Sequence, residues 1–331
     1  TELIENEDVL NDIKTLFGKR NRELTKTNKL QALVPKNSVP IRNENGTAPG
    51  IYIEQKNKIF VALPGVPLEM EAMMNNFVLP KILEKFPPKF VTKFTTLLTT
   101  GIPESFLYDQ IKTIDGIIEG GNLAFLPSQF GVKIRITAIE ETCDKAQEKI
   151  FGIEQQIRSK IGRYIYGKDN LLLEEVIGNL LSERGLTISV AESCTGGLIS
   201  SRITNVSRSS KYFERAIISY SNGAKVELLG IDEDLLNKYG AVSLEVARLM
   251  AEGIKAVSGT DIGLAVTGIM GPGGATENKP VGLVYIGICD ESVCTAKEFR
   301  FGDNRLLNKD RTSQAALEML RRYILGISYD E

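Results

Sequence analysis

Leu186-Thr187-Ile188-Ser189-Val190-Ala191-Glu192-Ser193-Cys194-Thr195-Gly196-Gly197 is the stretch that decides the fold. Residues 186–191 read as a buried strand, 192–197 as a turn, and 198–206 as a helix. In α/β sheets, such a turn at the carboxyl end of a strand is where ligands bind. The first amides of the helix lack partners and its dipole is positive there, which suits an oxyanion or a phosphate. Gly196 and Gly197 let the backbone approach a ligand closely. A plain Ser/Thr helix cap fits the same residues equally well.

The pattern continues on both sides. Asp169 is expected to cap a helix whose stripe is Leu173, Val176, Ile177, Leu180 and Leu181, ended by Gly185. Downstream come a strand at 216–220, then Ser221-Asn222-Gly223-Ala224-Lys225 opening a helix that stops near Gly230. An amphipathic helix from Ser243 carries Val246, Leu249, Met250, Ile254 and Val257. A strand at 262–267 runs into Gly268-Ile269-Met270-Gly271-Pro272-Gly273-Gly274. Strands at 282–289 and 293–301 and a helix at 307–325 close the chain. The class is α/β.

Upstream, Pro87-Pro88 marks a boundary. Residues 90–100, 104–114, 122–126, 132–140, 144–161 and 163–166 then read β-α-β-β-α-β, a split-βαβ unit with its helices on one face. Lys133 and Arg135 alternate with Val132, Ile134 and Ile136, as on a strand with one wet face. Before the boundary lie a polar helix at 6–20, a polar loop, and strands at 50–54 and 58–63. The turn Pro64-Gly65-Val66-Pro67 then opens a helix with Met70, Met73, Met74 and Phe77 on one stripe. This turn and the one at Asn45–Gly50 suit either a phosphate cradle or simple tight turns. Three domains are therefore expected: 1–87, 88–167 and 168–331.

Composition narrows the chemistry. The 331 residues contain no histidine and no tryptophan. Ser-His-Asp and Cys-His hydrolases and His-ligated zinc sites are thereby excluded. Lys plus Arg total 40 against 42 for Asp plus Glu, a net charge of -2 with no basic block. That argues against general nucleic-acid binding, and the middle unit shows no basic helix or stacking platform. Cys143, Cys194, Cys289 and Cys294 are scattered without a C-x-x-C pair, which suits a reducing compartment and no disulfide framework. No apolar run reaches membrane-span length and no signal-peptide pattern is present, so the expected location is the cytoplasm. The chain opens on Thr1 rather than Met, which points to a processed, truncated or fragmentary start.

Three constellations carry chemistry. Ser193 and Cys194 offer nucleophiles in the turn. With no histidine, a base for the serine must be Lys, Tyr, Asp or Glu; Lys225, near Tyr220, can serve if burial or a neighbouring cation lowers its pKa, and otherwise reads as a solvated surface lysine. The loop with Gly268, Gly271, Gly273 and Gly274 suits an anion nest or a connector.

At these segments the chain resembles the competence/damage-inducible CinA family. The match rests on Ala191 through Gly197, Tyr220-Ser221-Asn222 with Lys225, Gly240-Ala241-Val242-Ser243, and Thr267-Gly268-Ile269 through Gly274 to Lys279-Pro280-Val281-Gly282. The resemblance implies a nicotinamide-nucleotide amidase domain at 168–331 and a small α/β domain before it. It also implies part of a molybdopterin-binding-like domain at 1–87. The implied reaction converts nicotinamide mononucleotide to nicotinate mononucleotide and ammonia without a metal or other cofactor. Ser193 would be the nucleophile, Lys225 its base and Tyr220 a partner that relays or orients the proton. The implied substrate-binding set is Thr195, Gly196, Gly197, Asn222, Gly268, Gly271, Gly273, Gly274 and Arg305, with backbone near 195–197 holding the oxyanion. A homodimer is implied as well.

Departures from the family pattern are Gly223, Met270 and Ala275. The family's opening strand and Gly-Pro-Thr loop lie upstream of this sequence. Two other classes remain as alternatives. One is a non-catalytic scaffold or partner-binding protein, and the other a residual ADP-ribose pyrophosphatase at the 46–50 and 64–67 turns.

Overall fold

Three strands run parallel at the heart of the last 160 residues, the inner two buried on both faces and the third at the sheet edge. The computed structural model describes residues 1–19, 21, 23–114 and 123–329. The chain divides into two units, Thr1–Phe90 and Val91–Glu331.

In the first unit, β1 (Leu3–Glu5) pairs antiparallel with β2 (Leu33–Pro35), with α1 (Glu7–Lys19) and α2 (Lys26–Leu30) between them in sequence. β3 (Val39–Ile41), β4 (Gly50–Gln55) and β5 (Lys58–Ala62) form an antiparallel sheet. α3 (Pro67–Met73) passes through a π-helical turn, Met74–Val78, into α4 (Leu79–Lys85). The expected polar loop after α1 thus holds a short helix and two strands. Three-residue strands are too short to show an alternation in sequence. Of the helix expected at 6–20, Arg20 lies outside the described residues. The 45–50 turn is clasped from within. Asn43 accepts from the Asn45 and Gly46 amides and donates to the Ala48 carbonyl and the Glu69 carboxylate.

The second unit opens with β6 (Val91–Thr99), α5 (Glu104–Ile111), β7 (Leu123–Ser128), β8 (Gly131–Glu140), α6 (Cys143–Ile161) and β9 (Ile165–Lys168). The sheet order is β7-β8-β6-β9 and all pairs are antiparallel. Leu97, Ile134 and Ile136 pack against Leu107 and Ile111 of α5 and Ile150, Ile153 and Ile157 of α6, so both helices cover one face. Lys133 and Arg135 point to the wet face, as the alternation requires. Asn122, expected to start β7, lies outside the described residues.

The remainder is α7 (Leu173–Arg184), β10 (Ile188–Glu192), α8 (Leu198–Asn205), β11 (Phe213–Ile218), α9 (Asn222–Leu229), α10 (Glu233–Tyr239), α11 (Leu244–Ser258), β12 (Ile262–Gly268), β13 (Leu283–Cys289), β14 (Cys294–Arg300) and α12 (Arg305–Leu325). Strand order is β11-β10-β12-β13-β14. β10 is parallel to both β11 and β12, and β13 and β14 run antiparallel. Alternation divides the sheet into two cores. Ile188, Val190, Leu264, Val266, Ile286 and Ile288 face α7, α8 and α12. Ala191, Ala265 and Cys289 face α9 to α11. That second side is lined with small residues, because α11 lies very close. A Cβ added at Gly287 would fall 2.2 Å from the Ala247 carbonyl oxygen. The chain leaves β10 to one side for β11 and returns on the other as β12. The carboxyl end of β10 is therefore the switch point, where a crevice opens.

Two expectations are corrected here. Asp169 does not cap α7: it sits at φ 62 and accepts from the Thr95 hydroxyl and the Thr96 amide of β6. Glu175 takes over the cap, accepting from the Leu172 amide. The cysteines are not all free, since Cys289 and Cys294 form a disulfide. They are direct partners in the β13–β14 register, five residues apart across the hairpin turn. Among the described residues no helix is long and apolar enough to cross a membrane.

α12 also reaches the split-βαβ unit. Arg321 and Arg322 share the buried Glu318 carboxylate, Arg321 donates to the Arg163 carbonyl, and Gln314 donates to the Thr100 hydroxyl. Residues 168–331 contain both cores of the five-stranded sheet, so this fragment is expected to fold alone. Removing the Arg163 and Thr100 partners should lower its Tm relative to the full chain. Circular dichroism melts of the two proteins check this. A fragment without a cooperative transition contradicts it.

Candidate active site

The site starts with the turn between β10 and α8. Ser193 is held on one side by its amide, which donates to the Val266 carbonyl of β12 (3.1 Å). Gly196 donates back to the Ser193 carbonyl (3.2 Å). Gly196 and Gly197 have φ 62 and 96, a region in which a side chain is strained. The amides of α8 are not open, contrary to expectation. The buried Glu192 carboxylate accepts from Gly197 (2.9 Å), Ile199 (3.2 Å) and Ser200 (2.8 Å), and from the Ser200 hydroxyl. An internal anion already occupies that helix end. The amides of Cys194 and Thr195 are left, and they face the Cys194 sulfur.

Opposite this turn stands Lys225. α9 begins at the Ser221 cap, whose hydroxyl accepts from the Ala224 amide. The first turn then aims Lys225 inward, to 1% exposure. Its Nζ lies 2.8 Å from the Ser219 carbonyl, 3.4 Å from the Tyr220 carbonyl and 3.3 Å from Ser193 Oγ. A neutral amine has two hydrogens and one lone pair. Two carbonyls can take the hydrogens, leaving the lone pair for the serine hydroxyl. Burial lowers the lysine pKa, which favours that neutral form. Burial also pushes the neighbouring Cys194 thiol up to about 12, and the Glu192 charge adds to the rise. The thiol stays protonated at neutral pH, which leaves Ser193 Oγ as the candidate nucleophile, with the Lys225 amine 3.3 Å away.

Ser193, Cys194, Tyr220, Lys225, Ala241, Val242, Thr267, Gly268, Met270 and Arg305 enclose a cavity of about 180 Å³. That is below the usual size of a site that swallows a whole ligand. It has room for a small group only, the rest of a larger ligand lying outside. Two larger clefts, about 620 and 630 Å³, contain neither Ser193 nor Lys225.

Other expected residues are placed differently. The Tyr220 ring stands at the mouth, 64% exposed, and its hydroxyl accepts from Arg305 rather than touching Lys225. Its contact with the base is through its carbonyl. Arg305 also donates to the Gly271 carbonyl (2.7 Å), tying the glycine loop to the start of α12. Gly268 lines the cavity, whereas Gly273 and Gly274 are exposed beyond it. Gly271 fits against Val281, where a Cβ would come within 2.6 Å. Asn222 lines a separate cleft with Glu227 and Asn237. The Thr195 hydroxyl is buried without a partner.

Residues that the sequence did not single out are Glu192 and Lys309. Lys309 Nζ lies 3.7 Å from where a Gly196 Cβ would be, one helical turn beyond Arg305. Their i, i+4 spacing on α12 was a readable signal.

Residues 170–324 match the model of the CinA C-terminal domain, and residues 95–167 that of the damage-inducible protein CinA KH domain. A relative from Caldicellulosiruptor bescii, named for competence-damage induction, is 45% identical over 323 residues, covering 98% of this chain and 78% of its own length. The chain belongs to the CinA family. A CinA-like protein of Chloroherpeton thalassium is 42% identical over 328 residues, covering 96% of this chain and 78% of the relative. Among solved structures, the competence/damage inducible protein CihA from Agrobacterium tumefaciens is 40% identical, with a TM-score of 0.44. The match spans 45% of this chain and 91% of that one.

Proposed function

We propose that the chain is an amidohydrolase that converts nicotinamide mononucleotide to nicotinate mononucleotide and ammonia through an acyl-enzyme on Ser193. The observation that carries this is the buried Lys225 amine, 3.3 Å from Ser193 Oγ and anchored by two carbonyls. Ser193 Oγ attacks the carboxamide carbon while Lys225 accepts its proton. The resulting oxyanion takes the Cys194 and Thr195 amides, which Glu192 does not engage and which turn to it from the Cys194 sulfur. Lys225 then returns the proton to nitrogen as the C–N bond breaks and ammonia leaves. Water attacks the ester with Lys225 again as base, and the proton goes back to Ser193 Oγ as the carboxylate departs. The chemistry draws on no cofactor.

In this reading the nicotinamide ring enters the cavity lined by Ala241, Val242 and Met270, and the ribose phosphate lies toward Arg305, which lines the same cavity. The test compares nicotinamide mononucleotide with nicotinamide riboside, which lacks the phosphate. The mononucleotide should be turned over and the riboside scarcely. Arg305→Ala should lose roughly tenfold in kcat/KM toward the mononucleotide, mostly through KM, as expected for one charge-assisted hydrogen bond. Equal turnover of both compounds contradicts the phosphate placement.

A further inference from the structure

We infer that Glu192 is a positioning residue for Ser193, its carboxylate a clasp that closes the turn carrying the nucleophile. The inference rests on the reading of Ser193 as nucleophile. Gly197, at the cap of α8, has no side chain to satisfy the amides that follow it. The acceptor comes instead from the end of β10, five residues upstream. Both carboxylate oxygens are used. One takes the Gly197 and Ile199 amides, the other the amide and hydroxyl of Ser200. Glu192 itself is fully buried, and its carbonyl accepts from the Ser219 amide (2.9 Å).

Residues 193–196 therefore form a loop tied at both ends. At one end Ser193 is fixed to β12, and at the other α8 is fixed to Glu192. Gly196 lies between the ties and Gly197 sits at the second one, both in left-handed geometry with no side chain to restrain them. Ser219, hydrogen-bonded to the same Glu192 backbone, is also the residue whose carbonyl holds Lys225. Glu192 thus spans both halves of the dyad: its backbone registers the base's anchor and its side chain sets the nucleophile's turn. A long Nζ–Oγ contact of 3.3 Å leaves little tolerance for drift.

The role is tested with a fluorophosphonate, which reads serine nucleophilicity without the nucleotide substrate. Ser193 Oγ forms a bond to phosphorus, fluoride leaves, and the hydroxyl proton passes to Lys225. Labelling is followed by mass spectrometry of the Ser193 peptide in the full chain. Glu192→Gln keeps the shape but turns one acceptor into a donor facing an amide. Its limiting labelling rate should fall about tenfold or more at a temperature where the variant is fully folded, with the probe's half-saturation concentration little changed and the Tm lowered. Ser200→Ala removes one donor and leaves the carboxylate, and should slow labelling by about threefold. It decides the matter if the glutamine variant fails to fold.

Wild-type labelling rates in Glu192→Gln overturn the inference, as do wild-type rates in Ser200→Ala where that variant must decide. A loss expressed only as weaker probe binding or a lowered Tm overturns it too. A wild-type protein that labels elsewhere than Ser193 removes the nucleophile reading itself and this role with it.

Discussion

Ser193→Ala is expected to reduce ammonia release from nicotinamide mononucleotide by about 10⁴-fold or more, the scale on which serine hydrolases lose activity with their nucleophile. The fold should survive. The hydroxyl makes one long contact to Lys225, and the amide bond to Val266 remains in the variant. Cys194 is the adjacent alternative, and the structure separates the two. The thiol is buried, held near pKa 12, and the lysine amine is hydrogen-bonded to the serine. Cys194→Ala should accordingly keep activity within about threefold, the remaining effect being a small cavity. Steady-state ammonia assays on the two variants decide between the residues. An active Ser193→Ala paired with a dead Cys194→Ala assigns the chemistry to the thiol.

Lys225→Arg should be nearly inactive although it preserves the charge. Guanidinium does not release its proton in the working range, so it cannot take one from serine. It must also fit a fully buried slot between the Ser219 and Tyr220 carbonyls. In the wild type the pH dependence follows from the same burial. Desolvation lowers the lysine pKa below its usual 10.5, and the neutral amine is the competent form. Activity is therefore expected to rise with pH through the lowered value and to be lost in acid, where Lys225 is protonated. The acidic limb of kcat/KM reports this group in the free enzyme. If the arginine variant keeps more than about a tenth of wild-type kcat/KM, a loss below roughly 1.4 kcal/mol, Lys225 is not the base.

The parts of this architecture that sequence reveals are those with enough residues to show a period. The α11 stripe, the β8 alternation and the Gly185 and Gly230 helix ends, both left-handed in the structure, are of this kind. β1, β2 and β3 escape notice, each being three residues whose pairing comes from distant chain. Asp169 misleads because a carboxylate before an apolar stripe has the chemistry of a cap. Its actual partners, Thr95 and Thr96, are 74 and 73 residues away. At the site the absence of histidine left Lys, Tyr, Asp or Glu as a base, and only the family resemblance pointed to Ser193 with Lys225, two side chains that the fold brings within 3.3 Å. The role of Glu192 was not legible, because a cap supplied from five residues before its helix follows no standard spacing. Tyr220 shows the opposite error. Its position near Lys225 is real, yet the contact is made by its carbonyl, which any residue could supply, while its phenol meets Arg305.

The central claim is that this chain hydrolyses a nucleotide carboxamide, and product stoichiometry tests it most directly. Purified protein is incubated with nicotinamide mononucleotide in the presence of a chelator, and ammonia and nucleotides are quantified together. The account predicts one ammonia for each nicotinate mononucleotide formed, with the ribose phosphate intact. Unchanged substrate, or release of free nicotinamide in place of ammonia, would contradict it.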